Sequence, residues 1–292
     1  IFLLLLFFFL NKKLFLENFN VDYKIFILLF IFSIFNIYGS GFSDDLDHYH
    51  YSFISNSDEL NLIWGLSYLH PLYGTMPIWL TGHSFFNFDY SRLQDIHVLN
   101  GLILFLVTGL FLDEISKIKL NNKFLNPFLF SILLFIFFKY TRLKEFGVDR
   151  PAILLFCFLI FYYLKYFLSE NEKILKNFII VSLISITIVS IKVIYLPVMI
   201  LPFLLFLKKR SELLVIDLKY FTVFFALIIF LSKNVLATGC LIYPLDFSCI
   251  DALSWSDSIR IKEFALSQEV VNKAWSSYTG DLSKEVFIKD FN

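Results

Sequence analysis

Residues 177–207 constrain the fold more than any other stretch. They run for 31 positions with a single charge, Lys192. A membrane-crossing helix needs about 20 apolar residues, because ~30 Å of hydrocarbon is covered at ~1.5 Å per residue. One straight helix of this length would measure about 46 Å, and Pro197 and Pro202 would break it. The block therefore reads as two short spans, about 178–191 and 196–207, with Lys192 near the turn. Further apolar blocks at 1–10, 24–40, 97–113, 124–138, 151–168 and 218–235 bring the expectation to about eight crossings. The first block is cut short by the start of the chain at Ile1. Lys12 and Lys13 follow it rather than precede it, so it reads as the tail of a span and not as a signal peptide.

Composition agrees with this reading. Hydrophobic residues make up 58% of the 292 and charged residues 17%, against about half and a quarter in a soluble domain. The excess lies in blocks, which argues against a soluble globular enzyme, a disordered chain, collagen or a coiled coil. The 25 basic and 25 acidic residues balance, so no basic face suggests a nucleic-acid partner. Three cysteines are too few for a disulfide scaffold.

Lysine and arginine in short loops set the expected direction. Lys12, Lys13 and Lys24 flank the first connection; Lys117, Lys119 and Lys123 lie in 114–126; Lys173 and Lys176 lie in 169–177. Lys208, Lys209, Arg210 and Lys219 lie in 208–219. Placing these connections inside leaves 41–96 and the tail after 236 outside. The outer 41–96 segment is acidic, with Asp44, Asp45, Asp47, Asp58, Glu59, Asp89 and Asp95 against Arg92. The outer loop 139–150 departs from the rule, carrying Lys139, Arg142, Lys144 and Arg150 against Glu145 and Asp149. Either the parity is inverted or this loop is basic for a reason other than topology.

Two parts are expected: a transmembrane helical domain over 1–240 and an outer soluble segment over 241–292. Asn56 and Ser57 offer N-caps for a helix through 58–69, favoured by Asp58 and Glu59 in its first turn. Pro71, Gly74, Pro77, Gly82 and His83 break up 71–88, which suggests a helix lying in the interface rather than crossing. Ile261, Phe264, Ala265, Gln268, Val271 and Trp275 recur at helical spacing and predict an amphipathic helix over about 257–277. The chain then stops without a closing signal, which reads as a second truncation.

Four places carry chemistry-bearing residues. Asp44 and Asp45 follow a span closely, beside Asp47, His48 and His50. Adjacent carboxylates can act as a general base or hold a divalent cation, and a solvated acidic turn is the plainer alternative. His48, His50 and His70 would make a zinc site without a standard ligand spacing. Asp149 and Arg150 precede Pro151 at the start of a span, where Arg150 suits a phosphate or simply snorkels. Lys192, an ionisable group in an apolar block, suits a lipid phosphate or caps a turn. In TGCLIYPLDFSC, Tyr243 can stack on a sugar or join an interfacial aromatic belt. Cys240 and Cys249 can pair in an oxidising compartment or stay free.

Asp45, Tyr49 and His50, then Gly65, Leu66, Leu69 and His70, then Asp149, Pro151 and Ala152, then Lys192, then Gly239, Tyr243 and Pro244 form an ordered set over about 24–255. This set, with a span followed by a paired-acid outer loop and an interfacial helix, resembles the GT-C superfamily of membrane glycosyltransferases. It is closer still to a group of uncharacterised bacterial multi-spanning proteins of GT-C-like layout. The resemblance implies an all-α polytopic transmembrane bundle with interfacial outer-loop helices. It implies a polyprenyl-phosphate-linked sugar as donor and a cell-envelope glycan or lipid as acceptor, at the outer face of a bacterial inner membrane. Asp45 or Asp44 becomes the base; Arg150 and Lys192 become phosphate ligands, with Tyr49, His50, His70, Asp149 and Tyr243 around the substrate. No certain cofactor follows, and a divalent cation is compatible. A glycan polymerase or flippase and a non-catalytic envelope scaffold are the competing classes. The near absence of charge in the spans counts against a hydrophilic transport path.

Overall fold

The computed structural model describes residues 23–37, 50, 52–54, 64–75, 77–84, 97–117, 125–139, 147–167, 174–208, 210–213 and 220–274. Among them the protein is all-α. Its helices are α1 (Tyr23–Ile37), α2 (Leu66–Leu69), α3 (Pro77–Ser84), α4 (Val98–Lys117), α5 (Leu125–Lys139), α6 (Asp149–Phe167), α7 (Ile174–Ile191), α8 (Ile200–Lys208), α9 (Arg210–Leu213), α10 (Tyr220–Thr238) and α11 (Ser258–Ala274). Short 3-10 helices lie at Pro71–Gly74, Val193–Met199 and Asp246–Ser248. The extended pairing among these residues is one isolated antiparallel bridge, Cys240 with Cys249. The described residues fall into two compact units, one within Ile1–Leu62 and Met76–Phe230, the other within Ile63–Thr75 and Leu231–Asn292.

The first unit is built from the apolar blocks. Among the described residues, each of these blocks folds as helix. Phe30 of α1 meets Phe105 of α4 edge-on at 5.9 Å, and the His97 amide donates to the Ile37 carbonyl (3.4 Å), so the end of α1 meets the start of α4. Phe111 of α4 packs on Phe158 and Phe161 of α6, both at 5.7 Å. Phe178 of α7 meets Phe206 of α8 at 6.3 Å and Tyr220 of α10 at 6.0 Å. α7 and α10 are each long and apolar enough to cross a membrane by length and composition; α7 is mostly buried within the fold and α10 mostly open. Large apolar side chains point outward on several helices, among them Phe35, Phe130, Phe203 and Phe224.

The long block divides where its sequence suggests. α7 ends at Ile191, and Lys192 takes extended backbone (φ −148°, ψ 113°). A 3-10 helix then runs for seven residues through Pro197 before α8 begins. This second half differs from the expected plain α-helix. The 3-10 geometry stretches it, so Val193–Lys208 rises about 27 Å instead of about 24 Å. α3 rises only about 12 Å, too short to cross a bilayer.

The second unit joins residues distant in sequence. The Gly65 amide donates to the Leu236 carbonyl (2.8 Å), and the Tyr243 hydroxyl donates to the Pro71 carbonyl (3.0 Å). Trp255 Nε1 donates to the Val235 carbonyl (2.9 Å), and its ring meets Trp64 edge-on at 4.7 Å. Arg260 donates to the Tyr68 carbonyl (3.1 Å) and lies over the Tyr68 ring at 5.5 Å. α11 occupies most of its expected range, with Ile261 buried; Asp257 Oδ1 accepts from the Arg260 amide at 3.0 Å, an N-terminal cap.

Of the helix expected through 58–69, residues 58–63 lie outside the described residues, as do its caps Asn56 and Ser57, and the described part is helical only over Leu66–Leu69. Gly65, at φ 70°, breaks it, and a Cβ there would stand 2.8 Å from the Cβ of Trp255. Gly239 does the same at the end of α10, with φ 78° and the Ser256 Cα 2.7 Å from where a Cβ would be. Left-handed backbone favours glycine, and here the neighbour is backbone that cannot rotate away. Gly239→Ala is therefore expected to cost about 1–3 kcal/mol, read as a lower thermal unfolding midpoint in detergent. An unchanged midpoint would contradict this packing.

Candidate functional site

Two opposite charges meet at one end of the first unit because of where helices begin and end. Asp149 opens α6, where a carboxylate favours the helix dipole, and Lys192 follows the last turn of α7, where a cation does. α6 and α7 run antiparallel, so these ends coincide. At their other end the Tyr162 hydroxyl donates to Asn177 Oδ1 (3.0 Å). Lys192 Nζ forms a salt bridge to Asp149 Oδ1. The side chains are 37% and 66% exposed, so the pair is open to an incoming group. An ammonium has three donors, and a carboxylate occupying one leaves room for a second anion.

His50 comes to the same place from the chain after α1. It is 2% exposed, and burial lowers its pKa to about 4, with the Asp149 carboxylate acting in the opposite direction. The Asp149 field also reaches the Tyr195 hydroxyl, one 3-10 turn past Lys192. The Tyr195 amide donates to the Lys192 carbonyl (3.1 Å), and its ring lies 5.7 Å from Phe156 of α6. Behind His50 lie two more buried imidazoles, His83 of α3 and His97 before α4. Burial holds His83 well below the usual imidazole range, and His97 and then His50 push it the same way. His83 also meets Trp79 edge-on at 5.1 Å.

Of the residues expected from sequence, His50, Asp149 and Lys192 are therefore brought together, and Arg150 stands next to Asp149 in the first turn of α6. Asp44, Asp45, His48 and Tyr49 lie outside the described residues. So do 1–22, Arg142, Lys144 and the chain after 274. His70 belongs to the second unit, where its Nδ1 accepts from the Leu72 amide (3.3 Å) and caps the 3-10 helix. Tyr243, 1% exposed, is committed to packing in that unit, stacked on Phe264 at 5.7 Å. Cys240 and Cys249 form a disulfide across nine positions, and Cys157 is free. Among the described residues no group of three or more His, Cys, Asp or Glu is placed to hold a metal ion.

Sequence reasoning missed His83, His97 and Tyr195. His83 looked like a breaker in an interfacial stretch and His97 like the edge of an apolar block. The usable signal was that His83 shares the 41–96 segment with His50 and that His97 directly precedes the apolar helix α4. Tyr195 carried a fainter one, three residues past the isolated Lys192 and so one 3-10 turn away.

Two outcomes follow. The Asp149–Lys192 pair is largely exposed, so Lys192→Ala or Asp149→Asn should each change stability by less than about 1 kcal/mol; a larger loss in denaturant unfolding would make the pair structural. The second concerns pH. The native His50 binds its proton less readily than the unfolded one, so the unfolded state gains protons first as pH falls. Stability is whole above about pH 6.5 and declines progressively toward pH 4, by ~3 kcal/mol for a fully realised shift. His50→Gln should flatten the fall in unfolding midpoint between pH 7.5 and pH 5; an equally steep fall would place the effect elsewhere.

Comparison with curated proteins gives no match, and comparison with solved structures gives none. A family described as "Domain of unknown function (DUF8201)" matches residues 1–290. The match covers nearly the whole chain, and the protein belongs to that DUF8201 family.

Proposed function

We propose that the protein is a polytopic membrane glycosyltransferase-like enzyme of GT-C-like layout, acting at the outer face of a bacterial inner membrane. It would transfer a sugar from a polyprenyl-phosphate donor to a glycan or lipid of the cell envelope. The observation that carries this reading is the convergence of His50, Asp149 and Lys192, with Arg150 adjacent, at one end of the antiparallel apolar helices α6 and α7. A lipid phosphate needs cations at headgroup depth, next to an apolar body that accepts its tail. Lys192 and Arg150 are such cations, and Asp149 orients Lys192 until a phosphate takes its place beside it.

The membrane setting is supported by the outward faces of the helices. Phe221, Phe224, Phe225, Ile228 and Ile229 of α10 are all exposed, an apolar stripe at helical spacing that water would penalise. The outer placement of the segment after 238 is supported by the Cys240–Cys249 disulfide, since such bonds persist in oxidising compartments.

In the reaction, Asp45 or Asp44 is the base that removes the acceptor hydroxyl proton as its oxygen attacks the anomeric carbon. The bond to the polyprenyl phosphate breaks with its electron pair on the phosphate oxygen, where Lys192 and Arg150 stabilise the charge. Buried, neutral His50 contributes a hydrogen bond rather than a second positive charge.

The experiment is a cell-envelope glycan profile of strains carrying single substitutions. Asp45→Asn should abolish product, and Lys192→Ala should lower it by roughly 10²-fold or more, as expected for loss of one stabilising charge in a transition state, with both proteins accumulating at the parental level. Full glycan synthesis by Asp45→Asn would refute the assignment. Silence of Asp44, Asp45, Arg150 and Lys192 substitutions together would favour a scaffold.

A further inference from the structure

The loop that follows α10 displays apolar side chains from a rigid frame. Phe247 is 82% exposed, Leu241 41% and Ile250 38%, and the sole charge between Cys240 and Ile250 is Asp246. Flexibility does not explain the exposure. The Cys240–Cys249 disulfide closes the loop, and backbone bonds flank it: Leu241 to the Ser248 carbonyl (3.0 Å) and Ile250 to the Gly239 carbonyl (2.9 Å). Ser248 Oγ fills the interior, accepting from the Ile242 amide (3.1 Å) and donating to the Leu245 carbonyl (2.7 Å).

The loop is also tied to the end of the helix that leads into it. Asn234 Nδ2 donates to the Leu241 carbonyl (3.0 Å), and the Cys240 amide donates to Thr238 Oγ1 (3.1 Å). α10 spans 19 residues, about 28 Å, close to the thickness of the hydrocarbon core. Ser232, Lys233 and Asn234 bring polarity to its last turns, as at a headgroup boundary. A rigid loop pinned to that end stands at headgroup depth, whatever the rest of the unit does.

We infer that the disulfide-closed 240–250 loop is a membrane-interface wedge, seating Phe247, flanked by Leu241 and Ile250, in the outer leaflet of the bilayer that α10 crosses. The inference rests on the membrane reading of α10 and deepens it by naming the lipid-contacting surface outside the spans. Burial of these side chains at the acyl boundary removes an apolar patch from water, and the disulfide holds the loop in the one shape that presents them. Asp246 then faces the headgroups beside Phe247.

Photocrosslinking of the full chain tests this. Phe247→p-benzoylphenylalanine and, separately, Phe224→p-benzoylphenylalanine in α10 are reconstituted into phosphatidylethanolamine–phosphatidylglycerol vesicles, irradiated and read by mass spectrometry. A phospholipid adduct at 247, comparable in yield to that at 224, is the expected result. Lipid adduct at 224 but not at 247 overturns the wedge alone, as does a 247 adduct to a second copy of the chain. Absence of lipid adducts at both positions overturns the membrane reading on which the wedge rests.

Discussion

The site depends on the antiparallel packing of α6 against α7. Leu154, Leu159, Ile180, Ile184 and Ile188 are buried among the residues of these two helices, and Phe111 of α4 closes over α6. This apolar packing carries the energy, at about 25 cal/mol for each Å² removed from water or its equivalent in close contacts in lipid. The polar residues act at the ends. Tyr162 and Asn177 join one end, and Asp149 and Lys192 join the other. An exposed ion pair contributes little to stability. Its consequence is positional: two charges from residues 43 positions apart are held together at one surface of the unit.

Much of this was legible in the sequence, because block length and proline content are strong local signals. The helices fall on the apolar blocks, and the 31-residue block divides at Lys192 as its length required. The cysteine spacing left pairing open, and only the bridge between Cys240 and Cys249 resolved it. What stayed hidden depends on contacts across the chain. The 58–69 helix reads well by capping and periodicity, but Gly65 adopts positive φ against Trp255, 190 residues away. The seven residues of 3-10 helix at Val193–Met199, with Pro197 inside, have no distinct mark in the apolar pattern of the block. Tyr243 looked like an open stacking face, yet its hydroxyl reaches Pro71 and its ring lies on Phe264. Burial of His83 and His97 likewise has no local sequence signature.

The two units suggest a division of labour within the proposed function. The first holds charges at the ends of rigid helices, which suits a lipid-linked phosphate. The second is stapled by a disulfide and by bonds from Gly65, Tyr243, Trp255 and Arg260, and it presents apolar side chains from a fixed frame. The acidic pair Asp44–Asp45 enters this scheme through sequence alone.

The central claim is that the acidic segment before His50 and the Asp149–Lys192 pair lie on the outer side of a membrane. Thiol labelling with a membrane-impermeant maleimide in intact cells tests it most directly, in a Cys157→Ser background with the disulfide intact. The account predicts that Ser43→Cys is labelled in intact cells and Ser169→Cys only after permeabilisation. Labelling of Ser43→Cys only after permeabilisation, with Ser169→Cys open from outside, would contradict it.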